Sequence, residues 1–199
     1  MFLSATCFFV TLASFAAAFT LPETASDGFY VSYYNETGHE VHVKNPDLAA
    51  LNAILPTGDE LAQIQARNLA PGPQVARRAD TTWCGCGHKM NSGECDQAVS
   101  DIKGKFDAEG WGFAGISPGT SWWARRGGVV AFVCNHSRDT NSVMNTPTYT
   151  QGLVKITSAC GLYIAGTLEH STVLDVGYMN WAPGLNFCGA ARTSPAHSC

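Results

Sequence analysis

Apolar positions fall along this chain in three regimes. Residues 1–18 form an apolar and small-residue run without a charge, residues 19–78 alternate apolar bursts with polar and Pro/Gly-rich stretches, and residues 79–199 carry strand and helix periodicities. The most apolar window of the third regime is Gly127-Gly128-Val129-Val130-Ala131-Phe132-Val133-Cys134-Asn135. It is too short for a membrane span and too β-branched for a helix, so it is expected to be a central strand covered on both faces.

The pattern around this window predicts the other elements. Asn91-Ser92-Gly93-Glu94 has the form of a capping box, and Cys95, Ala98, Val99, Ile102 and Phe106 follow at helical spacing, predicting a helix that ends near Gly110. Two short strands, 111–116 and 121–126, flank Ser117-Pro118-Gly119-Thr120, whose Pro-Gly suits a type II turn. Residues 135–146 are polar and read as a long surface loop. Thr146-Pro147 opens a second helix, with Tyr149, Leu153, Ile156 and Cys160 on its apolar face and Gly161 as its cap. Residues 162–169 and 172–181 read as two strands joined by a tight turn, and a cysteine-bearing tail follows. This order predicts an α+β, two-layer sandwich, two helices on one face of an antiparallel sheet, stapled by disulfides. Upstream, 29–34 and 40–43 around Asn35-Glu36-Thr37-Gly38 predict a hairpin. Residues 47–67, with Leu48, Leu51, Ile54, Leu61 and Ile64, predict a short helix broken at Pro56.

Composition divides the chain at two places. Ala16-Ala17-Ala18 closes the first run with the small residues that signal peptidase accepts, and polar Thr20, Glu23 and Ser26 arrive too soon for an uncleaved anchor. Residues 19–78 hold no cysteine, whereas 79–199 hold seven. At that boundary stand Arg77-Arg78, preceded by the open stretch Ala70-Pro71-Gly72-Pro73. The expected organisation is a signal peptide over 1–18, a pro-segment over 19–78 removed by a kexin-type cut after Arg78, and a mature cysteine-rich domain over 79–199. The pro-segment either chaperones folding or keeps the domain inactive. Asn35 and Asn135 head glycosylation sequons, which fits passage through the secretory pathway to an extracellular product.

The cysteines of the mature domain are Cys84, Cys86, Cys95, Cys134, Cys160, Cys188 and Cys199. In an oxidising compartment six should pair, and the odd one either stays free, leaving a monomer, or joins two chains as a disulfide-linked dimer. Cys199 can tie the tail down or be the spare thiol. Cys84, Cys86, His88 and Cys95 also offer four soft ligands, but the spacing is tighter than in structural zinc sites, so disulfides are preferred and no metal or cofactor is expected.

Charge and side-chain chemistry narrow the function. Eight Lys and Arg face nine Asp and Glu over 79–199, so the basic footprint of nucleic-acid binding is absent. His88, His136, His170 and His197 are the histidines a ribonuclease-like acid–base pair would draw on. Glu169 and His170, being adjacent, would point to opposite faces of a strand, while His88 with Glu94 or His136 remains open. No nucleophile elbow, phosphate loop or His-Glu-x-x-His helix occurs, so no catalytic residue is assigned. Trp122 and Trp123 are neighbours in a predicted strand. One should face outward beside Arg125 and Arg126 unless something covers it, and there it would stack on a partner protein or glycan or touch a membrane component.

Trp83-Cys84-Gly85-Cys86-Gly87, Ser117-Pro118-Gly119-Thr120, the central window, Ala159-Cys160-Gly161-Leu162-Tyr163 and Val176-Gly177-Tyr178-Met179 resemble small cysteine-rich proteins secreted by filamentous fungi, many regarded as candidate effectors. The helix and strand order is similar, more distantly, to the virally encoded killer toxins of smut fungi and to the necrosis-inducing effector family, both two-layer α/β sandwiches. The resemblance implies a virulence protein that binds a host component, inducing cell death or suppressing defence without catalysis, or a killer-like antimicrobial protein; apart from the resemblance, the histidines leave an extracellular ribonuclease or other hydrolase as a further alternative. The odd cysteine count departs from those relatives, so no disulfide pattern is carried over.

Overall fold

The computed structural model describes residues 19–55, 63, 81–107 and 112–199. The leader 1–18 and the dibasic pair Arg77-Arg78 lie outside the described residues.

Val129–Asn135 of the apolar window become a strand with every residue buried, and the sheet is built outward from it. The strands are β1 (Gly28–Tyr34), β2 (Glu40–Lys44), β3 (Thr82–Lys89), β4 (Ala114–Ile116), β5 (Ser121–Arg126), β6 (Val129–Asn135), β7 (Ser142–Met144), β8 (Ile164–Ser171) and β9 (Leu174–Asn180). Seven of them form one sheet in the order β2-β1-β5-β6-β9-β8-β3, with β6 in the middle and every pairing antiparallel. The predicted hairpin at 29–43 is β1–β2, closed by an Asx turn in which Asn35 Oδ1 accepts from the backbone N–H of Thr37 and His39.

Two features depart from the sequence reading. The strand expected over 111–116 is shortened to β4, which pairs with β7 in a separate two-stranded sheet instead of joining β5; β7 itself lies inside the predicted surface loop. The cysteine cluster at 84–86, to which the pattern assigned no element, is part of β3, an edge strand on β8. Its alternation is hidden by two glycines and by cysteines whose partners lie more than seventy residues away.

The helices are α1 (Leu48–Asn52), α2 (Ser92–Phe106), α3 (Thr146–Cys160) and α4 (Phe187–Ala190). Asn91 caps α2 by accepting from Glu94 N–H at 3.1 Å. The Glu94 carboxylate does not close the expected box; it reaches across to accept from Gly128 N–H at 2.8 Å and fills the space a Cβ on Gly127 would need. Gly127 has φ +53°, so both the backbone turn and this contact require glycine. Pro147 stands in the first turn of α3 and Gly161 closes it, as the pattern indicated, and Asn145 caps its start. Along α3, Gly152 lies close to Val176, and on β8, Gly166 lies close to Ile156, so the helix sits almost on the sheet.

Both long helices bury their apolar stripes against one sheet face, in a cluster that includes Ile102, Phe106, Tyr149, Ile156, Trp122, Val133 and Val176. The opposite face is covered too. Phe19, Leu21, Ala25 and Tyr30 from the N-terminal segment join Phe187, Cys188 and Ala191 from the tail over Trp123, Val130 and Phe132. The chain is therefore mixed α/β around a large antiparallel sheet, with four helices among the described residues. The expected two-layer sandwich is not confirmed, because arm and tail cover the second sheet face, and that cover left no signature in the hydrophobic pattern.

Three disulfides fix this arrangement: Cys84–Cys160 ties β3 to the end of α3, Cys134–Cys188 ties β6 to α4, and Cys86–Cys199 ties β3 to the C-terminus. Cys95, grouped with the disulfide candidates, is instead the free cysteine, buried on the inner face of α2. Burial, with Asp96 adding to it, pushes its thiol up to about 12. After removal of the leader, thiol titration of the native protein is expected to find no reactive group, and denaturation without reductant to release one per chain. A reactive thiol before unfolding, or three after it, would contradict the pairing.

Candidate functional site

The sheet face opposite the long helices carries a charged cluster and a cleft. On that face β9 places Asp175 and β8 places Glu169, both buried, while the tail returns Arg192 over them. Arg192 Nε and Nη2 donate to Asp175 Oδ2 and Oδ1 at 2.5 and 2.7 Å, and Arg192 Nη1 lies 3.6 Å from Glu169 Oε1. His136, at the end of β6, approaches Asp175 Oδ2 through Nε2 at 2.9 Å. Burial pushes the Asp175 carboxyl up, but the hydrogen bonds and charges of His136 and Arg192 outweigh it and hold the group below its ordinary value.

A carboxylate already engaged by a bidentate guanidinium is an anchor for the tail rather than a poised base. The pairing of His88 with His136 or Glu94 is not formed: Glu94 goes to Gly128, and His136 goes to Asp175. His197 Nδ1 lies 2.6 Å from Thr82 O and helps hold the last residues on β3.

Beside this latch lies a cleft of about 530 Å³ between the sheet and the tail. Its floor is Trp83, Gly85, Ala165, Thr167 and Met179 from β3, β8 and β9, and its wall is the tail from Leu185 to Ala196. The lining is mainly apolar, with His88, Asn180, Thr193 and Ser194 supplying polar groups. Trp83 is half-buried; its ring lies between Arg192, 5.9 Å from the centroid, and His197, 6.2 Å between ring centres. The sulfurs of Cys84 and Cys86 are taken up in disulfides, so the zinc set considered for that cluster is not assembled.

The residues proposed from sequence as a binding patch are all engaged. Trp122 lies on the helix face, edge-on to Phe29 at 5.5 Å and stacked with Phe106 at 6.0 Å. Trp123 points to the other face, as alternation requires, but has no exposed surface: Tyr30 stacks on it at 4.1 Å and its indole N–H donates to Ser32 Oγ at 2.7 Å. With the upstream segment in place the condition set for an outward tryptophan is not met, because Tyr30 and Ser32 cover Trp123. Arg125 lies 3.6 Å over the Trp181 ring and donates to Gly127 O and Ala25 O, while Arg126 makes a bidentate pair with Asp101 on α2 at 2.6 and 2.9 Å. The Arg125-Arg126 dibasic pair is accordingly held within a folded hairpin.

The two sequons also separate. Asn135 is buried and its Nδ2, the atom that would carry a glycan, donates to the carbonyls of Ile116, Ser117 and Thr140. A glycan there is incompatible with this fold, and that candidate is withdrawn; Asn35 sits in the β1–β2 turn. The cleft was missed from sequence because it is built from a strand to which the pattern assigned no element and from a tail without periodicity.

No family model, no curated protein and no solved structure matches this chain. Among the described residues, no helix is long and apolar enough to cross a membrane.

Removing Arg192 takes the bidentate guanidinium away from buried Asp175, leaving it only the contact with His136. Arg192→Ala is expected to lower stability by about 3–5 kcal/mol at neutral pH, measured by denaturant unfolding. Because Asp175 is depressed in the folded state, its contribution is full above the ordinary carboxylate value of about 4 and fades as pH falls through the lower folded value. The gap between wild type and Arg192→Ala should therefore narrow in acid; a gap that is small at pH 7 or widens in acid would contradict the latch.

Proposed function

We propose that this protein is exported and acts by binding, engaging a host component in the manner of a secreted fungal effector rather than turning over a substrate. The observation that carries the reading is the division of labour on the second sheet face. Charged groups suited to acid–base work are committed to one another around Arg192, whereas the cleft is apolar and edged by a half-exposed tryptophan. An apolar cleft with a few polar groups at its rim suits the apolar part of a ligand or partner side chain, and Trp83 adds a flat surface on which a sugar or aromatic ring can stack. The export reading draws on the apolar leader, the dibasic site and three disulfides, which persist in oxidising compartments. Engagement of the host component then leads to cell death or to suppression of defence.

Ala190 lines the cleft from α4, so Ala190→Phe narrows it without touching a disulfide or the Arg192 latch. Applied to plant leaf tissue, the secreted protein is expected to elicit a response that a reduced and alkylated sample does not. Ala190→Phe should lose that response while unfolding at the same temperature as wild type. A response that survives reduction or Ala190→Phe, or no response to the intact protein, would count against this reading.

A further inference from the structure

The segment upstream of the dibasic site is built into the fold on three fronts. Along the sheet edge, β1 pairs with β5 in the register Gly28 to Arg125, Phe29 to Ala124, Tyr30 to Trp123, Val31 to Trp122 and Ser32 to Ser121. On the helix face, Phe29, Val31, Leu48 and Leu51 belong to the main core. On the other face, Phe19, Leu21, Ala25 and Tyr30 belong to the second core, and the arm is stitched to the tail by Leu21 N–H to Leu185 O and Gly184 N–H to Leu21 O at 2.9 and 3.0 Å.

Polar contacts reinforce this seat. Ser32 is fully buried and accepts the Trp123 indole N–H, Arg125 donates to Ala25 O, and Asp27 accepts from Gly127 N–H at 3.0 Å. Taking the segment away would open an unpaired edge along β5, uncover Trp122 and Trp123 on opposite faces and strand a buried indole donor. All three disulfides lie within residues 84–199, so nothing covalent holds the segment once the linker is cut.

We propose that cleavage after Arg78 does not release the upstream segment, and that the processed protein is a two-chain complex in which residues 19–78 remain as a strand-donating subunit. The cut adds water across the Arg78–Ala79 peptide bond, leaving a carboxylate on Arg78 and an ammonium on Ala79, and consumes no other reactant. Before it, the segment is tethered to its own seat at high effective concentration; after it, the complex persists on the packing and hydrogen bonds just described. In this arrangement Trp122, Trp123 and Arg125 stay covered after processing. Contact with partners therefore falls to other surfaces.

The test is to cut the secreted precursor at residue 78, using a copy with a sequence-specific protease site in place of residues 74–78 to guarantee complete cleavage. Native size-exclusion chromatography with mass spectrometry of each fraction is expected to show both chains eluting together at the volume of the uncut protein and separating only in denaturant. Tyr30→Ala in the same precursor should raise the fraction of free short chain roughly tenfold, the factor that about 1.4 kcal/mol from one aromatic stack corresponds to. A folded 79–199 chain eluting alone, with the short chain free or lost, would overturn the proposal. So would a Tyr30→Ala complex as tight as wild type.

Discussion

The fold depends most on what happens at the face of Trp123. The ring has no exposed surface because Tyr30 stacks on it at 4.1 Å, Ser32 accepts its N–H, and Phe187 of the tail closes from the other side. Three parts of the chain distant in sequence thus meet on one side chain. The sheet needs all three: β6 is buried on both faces, and each neighbour outward from it is covered only as long as the arm and tail stay in place. A strand hydrophobic on both faces demands two covers, and two helices can supply only one of them.

The second cover is irregular, so it cannot rely on helix or sheet ladders for its own stability. It is held instead by point attachments. Cys134–Cys188 and Cys86–Cys199 pin the tail covalently, Arg192 pins it through two buried carboxylates, and the N-terminal arm is pinned by its continuation into β1. The same irregularity leaves room: where the tail spans the outer strands without filling the space beneath it, the apolar cleft beside Trp83 remains. Binding capacity and tail anchoring are therefore two consequences of one packing problem, with charged side chains spent on the anchor and apolar ones left at the cleft.

Elements with a clean period were legible in the sequence. The stripe Cys95, Ala98, Ile102 and Phe106 and the stripe Tyr149, Leu153, Ile156 and Cys160 became the inner faces of α2 and α3, and the window at 129–135 became the middle strand. What the pattern hid depends on long-range partners. Cys84 and Cys86 could be read as disulfide cysteines but not paired, because their partners, Cys160 and Cys199, are remote in sequence. Trp123 looked like a surface anchor because its alternation was read correctly while its cover, Tyr30, lies across the proposed processing site. Asn135 looked like a glycan acceptor because a sequon records three residues and not the three carbonyls that claim its amide. The odd thiol was undecidable from counting and falls to Cys95 because that position faces the core from α2 with no second sulfur in reach.

The central claim is that the upstream segment is part of the sheet and not a removable wrapper. Hydrogen exchange along β5, measured by NMR on the protein cut at residue 78, tests it most directly. The account predicts that the amides of Ser121–Arg126 directed toward β1 stay as protected as those of β6. Fast exchange confined to those amides, with β6 still protected, would show that β5 has become a free edge and would contradict it.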